Sequence, residues 1–413
     1  MTVAESEATL VQRRTVGVLV ASQALGGIGV FTGITVATLL AEDILGDASF
    51  AGMTQTAQLV GAAVVAFLLS QVMAIRGRRV GLALGYGLGA LGAGLCIVGG
   101  AVGSFAVLLL GTFALGSAVA TNSQARYAAT DLASPRRRAR ALSVVVWATT
   151  IGAVVGPNLV GPAGDVAEAV GLPALTGPFL FSLVGLFAGA GVLWTWLRPD
   201  PLLTARRLAD GSGGGPSPRV SLRRVWSVVR TRPRAMAAMA AIAVSHSVML
   251  TVMVMTPIHM SHGGADLEVI GFVISVHIVG MFAFSPLIGW LADLLGPSVV
   301  LAAGALVLLL AVALAGSAPA GHSAVLAVGL FLLGLGWSCG VVAASSLLVD
   351  AVPLIERPGV QGVADLLQGV CAAIAASLGG VVLASWGYSA LNGMAGVLAV
   401  VVLGSAVVAR ARA

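Results

Sequence analysis

Long apolar stretches separated by short polar loops run through almost the whole chain. Each of these stretches holds about 20 residues or more, which is enough for an α-helix to cross ~30 Å of hydrocarbon. The pattern therefore predicts an all-α membrane protein with twelve membrane-spanning helices. The predicted spans are 15–40, 50–74, 80–102, 105–130, 141–164, 175–197, 235–258, 268–291, 298–318, 322–349, 359–385 and 388–409.

The overall composition excludes a soluble globular protein. Of the 413 residues, 58% are hydrophobic and only 9% are charged, with a mean hydropathy of +1.02. The 55 glycines are small residues that let helices approach closely inside lipid. The three cysteines all lie in apolar runs, so no disulfide framework is predicted.

The charges are distributed asymmetrically along the predicted topology. All 22 basic residues are arginine, and apart from Arg126 they fall in the tails and loops of one side. This arrangement predicts cytoplasmic N- and C-termini in the cell membrane, and it assigns the basic charge to membrane insertion rather than to nucleic-acid binding. Seven acids fall on the opposite, outer side: Glu42, Asp43, Asp47, Asp165, Glu168, Asp266 and Glu268.

One long loop divides the chain, and its Gly/Ser/Pro-rich centre is typical of a flexible linker. Its second part, from Leu222 to Arg230, is predicted to form a basic surface helix. The predicted parts are a cytoplasmic tail 1–14, a six-helix half 15–197, the basic linker 198–234, a second six-helix half 235–409 and a tail 410–413.

The two halves repeat one another. The loop 70–79 corresponds to the loop 289–298, and the same offset carries Asp131 onto Asp350 and Arg138 onto Arg357. Such coincidences indicate an internal duplication. A repeat of six plus six spans around a central cavity is the plan of an alternating-access transporter.

The second of these loops resembles the G-x-L-a-D-r-x-G-r-r signature of the major facilitator superfamily, and the resemblance covers essentially the whole chain. The first loop keeps Gly77, Arg78 and Arg79 but has Ser70, Ala74 and Ile75 where the family has Gly, Asp and Arg. In the fifth span, Gly152-x-x-x-Gly156-Pro157 resembles the family's antiporter motif. The resemblance implies a twelve-helix fold of two six-helix halves and gating residues Gly77, Arg78, Asp131, Arg138, Gly289, Asp293, Gly296 and Asp365.

Soft ligands are concentrated in the seventh and eighth spans. Met249 and Met253 lie four residues apart on one helix, and His277 and Met281 lie four residues apart on the next, so each pair projects from one helical face. Thioethers and imidazole without carboxylates favour Cu(I) over harder ions. The alternative is ordinary core packing by methionine.

These two motifs resemble those of the CcoA-like copper importers, the CalT branch of the superfamily. The resemblance implies that Met249, Met253, His277 and Met281 bind copper as the transported substrate, with no separate cofactor. Relatives in the same branch carry riboflavin, so the substrate stays open between these two.

Other polar residues inside the spans have two interpretations each. His246 is either a further ligand or proton carrier, or a histidine bonded to a hydroxyl such as Ser245 or Ser275. Arg126 either contacts substrate along its path or extends to the membrane interface. Asp365 is the acid placed well inside a span, so it is a candidate for proton coupling.

No P-loop or Ser/His/Asp constellation is present in the sequence, which predicts secondary transport and no enzymatic activity. We expect a monomer whose partners are the lipid bilayer and a small-molecule or metal-ion substrate. Two competing hypotheses are a proton-coupled exporter of amphipathic drugs or metabolites and a membrane sensor that does not transport.

Overall fold

The computed structural model describes residues 3–46, 50, 52–210, 221–321 and 324–411. All regular secondary structure within these residues is helical, as the sequence predicts. The α-helices are α1 (Val3–Leu45), α2 (Met53–Arg76), α3 (Arg78–Ala101), α4 (Phe105–Ala128), α5 (Arg138–Asn158), α6 (Val160–Ala169), α7 (Gly177–Trp196), α8 (Pro201–Asp210), α9 (Leu222–Val229), α10 (Pro233–His262), α11 (Leu267–Phe282), α12 (Ser285–Leu295), α13 (Pro297–Ser317), α14 (Ala324–Ala351) and α15 (Arg357–Ala411).

In the described part of the chain, 11 helical stretches are long and apolar enough to cross a membrane. The last of them, α15, has 55 residues and would measure about 80 Å, far more than a ~30 Å hydrocarbon core needs. Its backbone leaves the helical region at Gly387, where φ is +81°. α15 therefore supplies two spans, and the predicted all-α fold with twelve spans is confirmed.

Several predicted boundaries differ from the structure. The predicted span 141–164 is interrupted at Leu159, between α5 and α6. α1 begins at Val3, so the helix includes most of the tail that was predicted at 1–14. The predicted span 268–291 is interrupted between α11 and α12, next to Pro286. Proline lacks a backbone N–H, and its ring clashes with the carbonyl of the residue four positions earlier, which accounts for the break.

The predicted linker 198–234 holds a helix on either side of its centre. α9 confirms the basic surface helix: Val225 and Val229 are buried, whereas Trp226 is 61% exposed. α8, on the other side, was not predicted as a helix. Outside the described residues lie 211–220 of the linker, 1–2 and 412–413 of the predicted tails, and Asp47 of the first outer loop.

The chain forms two compact units, and each takes one short piece from the other half of the sequence. The start of the fifth span belongs to the second unit, and the start of the eleventh span belongs to the first. The predicted boundaries of the halves stay a sequence prediction. The first unit contains Met1–Ala133, Ala148–Leu222 and Leu354–Leu366; the second contains Ser134–Trp147, Arg223–Pro353 and Leu367–Ala413.

The glycine-rich run of α3 packs against α4 in the first unit. A Cβ at Gly92 would lie 2.5 Å from the Leu115 backbone nitrogen, and a Cβ at Gly111 would lie 2.7 Å from Sγ of the free, buried Cys96. Such approaches require the absence of a side chain. The run is therefore a helix-packing surface, as the sequence predicts.

The glycines of the antiporter-like motif have the same effect between α5 and α1. A Cβ at Gly152 would lie 2.2 Å from the carbonyl carbon of Gly27, and a Cβ at Gly156 would lie 2.8 Å from Phe31 Cβ. Both glycines are buried. In this structure the motif therefore provides close contact between two helices of the first unit.

Two glycines of α3 give a matched test of this packing. We expect Gly92→Ala to destabilise the protein by about 1–3 kcal/mol, because the added methyl group meets a backbone it cannot displace. Gly94→Ala should be neutral or slightly stabilising, since nothing lies within 4 Å of the added atom and alanine favours the helix. Thermal unfolding in detergent measures both. Equal melting temperatures for the two variants would contradict the packing.

Candidate functional site

Arg78 is completely buried in the first unit and is held by a carboxylate. Its Nε donates to Asp131 Oδ2 at 2.8 Å, and its Nη2 donates to Asp131 Oδ1 at 3.2 Å. The same Nη2 donates to Gln361 Oε1 at 2.7 Å. The Arg78 cluster, formed by Arg78, Asp131 and Gln361, thus joins the start of α3 and the loop after α4 to the start of α15.

A second buried ion pair lies in the same unit. Arg126 Nη2 donates to Asp365 Oδ1 at 2.8 Å, and Gln124 Nε2 donates to Asp365 Oδ2 at 2.7 Å. Arg126 is 4% exposed and Asp365 is 6% exposed, and the guanidinium lies over the Tyr127 ring at 4.8 Å from the ring centroid. We call Gln124, Arg126 and Asp365 the Arg126 cluster. It joins Arg126 and Asp365, which the sequence analysis predicted as two separate candidates.

This pairing argues against one of the two interpretations of Arg126, extension to the membrane interface, and leaves substrate contact a prediction. A side chain that extended to the interface would keep its guanidinium in water. Arg126 is instead buried against a carboxylate that comes from the other half of the sequence. The pair links α4 to the first turns of α15, so Arg126 and Asp365 are joint candidates for a gate.

Gly77 occupies a backbone conformation that favours glycine. Its φ is +85°, and a Cβ at this position would lie 2.4 Å from Asp200 Oδ2. Asp200 in turn accepts a hydrogen bond from the backbone N–H of Arg79 at 2.7 Å. The carboxylate therefore caps the first turn of α3, a role for Asp200 that sequence reasoning missed.

In the second unit, the carboxylate of Asp293 also caps the start of a helix. The carboxylate accepts hydrogen bonds from the backbone N–H groups of Ala139 and Arg140, each at 3.0 Å. These are N–H groups of the first turn of α5, which have no partner within the helix. We call this contact the Asp293 cap. Beside it, Arg138 forms an ion pair with Asp350.

Gly289 and Gly296 lie on either side of Asp293, and the structure favours glycine at each position for a different reason. A Cβ at Gly289 would lie 2.6 Å from Ser143 Cβ, so the glycine permits close packing of α12 against α5. Gly296 has a φ of +93° and separates α12 from α13, so it forms a turn that favours glycine. Their gating role stays a prediction.

The internal repeat extends to these side-chain contacts. In the first unit, a Cβ at Gly362 would lie 2.3 Å from Ser70 Cβ, which matches the contact of Gly289 with Ser143 in the second unit. Ser70 and Gly289 are 219 positions apart, as are Ser143 and Gly362 (289 − 70 and 362 − 143). Each contact pairs a serine with a glycine, and the two partners are exchanged between the copies.

The copies also differ in a coordinated way. In the contact of the first unit, Ala74 stands where the second unit has Asp293, and Pro358 stands where it has Ala139. Proline has no backbone N–H, so the first unit lacks both the carboxylate and one of the donors that the carboxylate would cap. The first unit has the Arg78 cluster instead, and in the second unit Pro297 stands where the first has Arg78.

His277 and Met281 of the predicted copper site lie together on the face of α11 that packs against α14. His277 is completely buried, and its Nδ1 lies 2.8 Å from the Leu330 carbonyl oxygen. A Cβ at Gly334 of α14 would lie 2.4 Å from the His277 carbonyl oxygen and 2.8 Å from the Met281 nitrogen. Because Nδ1 must donate to the carbonyl, Nε2 carries a lone pair, and it has no hydrogen-bond partner.

Met249 and Met253 lie on α10, where the first is 2% exposed and the second is half-buried. α10 and α11 contact each other much less than each contacts α14. The hydrogen bond that orients the His277 ring thus comes from α14 and not from the helix of the two methionines. Convergence of all four side chains on one ion stays a prediction.

His246 belongs to an aromatic cluster that the sequence did not predict. Its Nδ1 accepts a hydrogen bond from Trp337 Nε1 at 2.9 Å, whereas Ser245 and Ser275 donate to carbonyls of their own helices. The partner of Nδ1 is therefore an indole N–H, and the alternative of a hydroxyl partner for His246 stays a prediction. Trp337 also meets the Phe282 ring edge-on, with centroids 5.6 Å apart. His246, Phe282 and Trp337 form what we call the Trp337 cluster.

A polar cluster in the first unit was also missed. The Tyr86 hydroxyl is buried, 2.9 Å from Gln23 Oε1 and 2.6 Å from Asn122 Oδ1, and Gln23 Nε2 lies 3.5 Å from Thr149 Oγ1. Four spans each contribute one of these side chains. A single tyrosine or glutamine in an apolar run carries little signal, so only the packing of the helices reveals the group.

The chain is similar to known membrane transporters along most of its length. Residues 19–264 and 247–412 match the family model of the Major Facilitator Superfamily. The chain is 36% identical over 400 residues to the uncharacterized MFS-type transporter YdeG of Bacillus subtilis (strain 168). The alignment covers 97% of this chain and 93% of that protein. It is 27% identical over 382 residues to the riboflavin transporter RfnT of Brucella anthropi, with 92% of each chain covered.

Solved structures show the same fold. The human organic anion transporter MFSD10 (TETRAN) aligns with a TM-score of 0.72 at 17% identity, covering 96% of this chain and 99% of that one. These comparisons give no support to the copper-importer branch that the sequence motifs resemble.

The Arg126–Asp365 pair can be tested by a double-mutant cycle. We expect Arg126→Gln or Asp365→Asn alone to destabilise the protein by about 3–5 kcal/mol, because each leaves the other charge buried and unpaired. The double variant should be clearly more stable than either single variant. Thermal unfolding in one detergent measures all four proteins, with the exposed Arg137→Gln as control. Additive effects would show that the two side chains are not coupled.

Proposed function

The chain belongs to the Major Facilitator Superfamily and is a multi-pass secondary transporter, and on this premise we propose that its substrate is a small organic solute with a planar heteroaromatic ring. Members of the superfamily are not enzymes and need no cofactor. The observation that carries the proposal is the Trp337 cluster, in which an indole, a phenyl ring and an imidazole meet on three helices of the second unit.

The chemistry of this cluster suits a flat ring with hydrogen-bonding groups. Aromatic faces and edges interact with a planar ligand by offset stacking and edge-to-face contact. His246 accepts a hydrogen bond from Trp337 through Nδ1, which holds the imidazole beside the indole. The His246 residue is half-buried.

His277 adds an acceptor in the same unit. Its Nδ1–H is committed to the Leu330 carbonyl, and its Nε2 lone pair has no partner although the side chain is completely buried. Burying an unpaired polar atom is costly, so a hydrogen bond from a ligand N–H or O–H to Nε2 would stabilise the complex. The name of the relative RfnT, a riboflavin transporter, agrees with a heteroaromatic solute of this kind.

The two buried ion pairs supply the alternation between states. A network that forms in one state and opens in the other biases the equilibrium between them. We assign this role to the Arg78 and Arg126 clusters in the first unit and to the Asp293 cap with Gly289, Gly296, Arg138 and Gly77. From the excess of arginine on one side we also propose that both termini lie in the cytoplasm and that the protein lies in the cell membrane, where we expect a monomer.

Uptake of radiolabelled riboflavin by cells that express the protein tests the organic-solute proposal. We expect accumulation with the wild-type chain and a rate about five- to 100-fold lower for Trp337→Ala, since loss of one aromatic stacking partner costs a base-like ring about 1–3 kcal/mol of binding free energy. The control is Trp386→Ala, whose side chain is 70% exposed and lies outside the cluster. Equal rates for the two variants, or no uptake by the wild type, would overturn this assignment.

Copper remains a second candidate because of one observation. A histidine that binds metal usually donates its other ring N–H to a backbone carbonyl, as His277 does to Leu330. Met281 lies one turn away on the same face. Here Cu(I) would be the transported substrate, and Met249 and Met253 would complete the site.

Metal analysis of the purified, reduced protein separates the two candidates. If copper is the substrate, we expect about one Cu(I) per chain in the wild type and a loss of most of it in His277→Ala and in Met281→Leu. Met236→Leu, at the opposite end of α10 from the proposed site, should retain it. Copper content at background level in the wild-type protein would remove this candidate and leave the organic solute untouched.

A further inference from the structure

The second unit has a surface groove at the arginine-rich ends of α10 and of the last span. The groove has a volume of about 430 Å³ and runs between the first turns of α10 and the last turns of α15. Its two walls each cover about 10 Å of helix, at ~1.5 Å per residue, which is most of the depth of one leaflet. The lining residues are Pro233, Met236, Ala237, Ala240, Val401, Gly404, Ser405 and Val408.

This groove is apolar and open to the surroundings. Met236, Val401 and Val408 are 39%, 46% and 45% exposed. The hydroxyl of Ser405 donates to the Val401 carbonyl of its own helix, so it offers no free donor to the groove. A saturated hydrocarbon chain fits such a surface, whereas a polar ligand would find no partner along it.

One end of the groove is strongly basic. Arg234 follows the lining residue Pro233, and its Nε is buried without a hydrogen-bond partner. Arg232 is half-buried and donates to the Val228 carbonyl at the end of α9. No acidic residue occurs in 211–265 or in 366–413, so nothing in these segments neutralises the arginines.

We propose that this groove binds one anionic phospholipid, with an acyl chain between α10 and the last span and its phosphate at Arg232 and Arg234. Arginine forks bind phosphate oxygens in pairs, and each arginine at the surface adds about 1 kcal/mol of attraction to an anionic headgroup. α9 flanks the site, with the exposed Trp226 at a position where indole rings favour the membrane interface.

The site is independent of the transported substrate. It uses no residue of the Trp337 cluster or of the ion pairs, so it stands whether the solute is organic or a metal ion. By holding the start of α10, a lipid at this position would stabilise the second unit from its membrane-facing side.

Native mass spectrometry of the full chain with added phosphatidylglycerol or phosphatidylcholine tests the proposal. We expect one phosphatidylglycerol to remain bound to the wild type, and weaker retention of phosphatidylcholine. The double variant Arg232→Gln/Arg234→Gln should weaken the binding of phosphatidylglycerol by about fivefold for each arginine removed. Arg136→Gln, an exposed arginine outside the groove, is the matched charge control.

Two glycine variants of the last span test whether the groove binds the acyl chain of the lipid. Gly404→Leu fills the groove and should abolish retention of the lipid, whereas Gly393→Leu on the same helix should not. Neither glycine has an atom within 4 Å of an added Cβ, so both variants are expected to fold.

Three results would overturn the lipid assignment. The first is equal retention of both phospholipids, or retention that neither the arginine variants nor Gly404→Leu reduce. The second is protection from thermal unfolding by inorganic phosphate that matches that of phosphatidylglycerol. The third is a wild-type dimer that Gly404→Leu dissociates, because the groove would then hold a second copy of the chain.

Discussion

Two arginines, Arg78 and Arg126, lie buried inside an apolar helix bundle, and each is held there by a carboxylate that accepts its hydrogen bonds. Charge is costly to bury in such surroundings unless it is paired with an opposite charge. Removing either partner would leave the other unpaired, so the pairs fix which helix ends lie together. Through Gln361 and Asp365, the start of α15 is fixed to the ends of α3 and α4.

In the second unit, a different interaction holds the start of a helix in place. There a single carboxylate, Asp293, accepts from two N–H groups at the start of α5, where the helix dipole favours negative charge. The first unit has Ala74 and Pro358 at the corresponding places and depends on buried arginine instead. A duplicated fold has thus diverged into one contact based on ion pairs and another based on a helix cap, and their sensitivities to mutation should differ.

The sequence was sufficient for the features that depend on local composition. Span number, the repeat and the packing role of the α3 glycines follow from hydropathy, offset and residue size. Contacts between distant residues could not be predicted in the same way: Arg126 and Asp365 are 239 positions apart, and Trp337 is 91 positions from His246. α10 and α11 are apolar on all sides, so periodicity does not define which face of each is turned inward. For that reason the partners of His277 and of His246 required the structure.

Hydrogen–deuterium exchange of the starts of α15 and α5 tests most directly that two chemically distinct contacts hold them. In Arg78→Gln we predict faster exchange in 357–366 and unchanged exchange in 138–147. In Asp293→Ala we predict the reverse pattern, because the two contacts lie in separate units. Faster exchange of both segments in each variant, or of neither, would contradict the account.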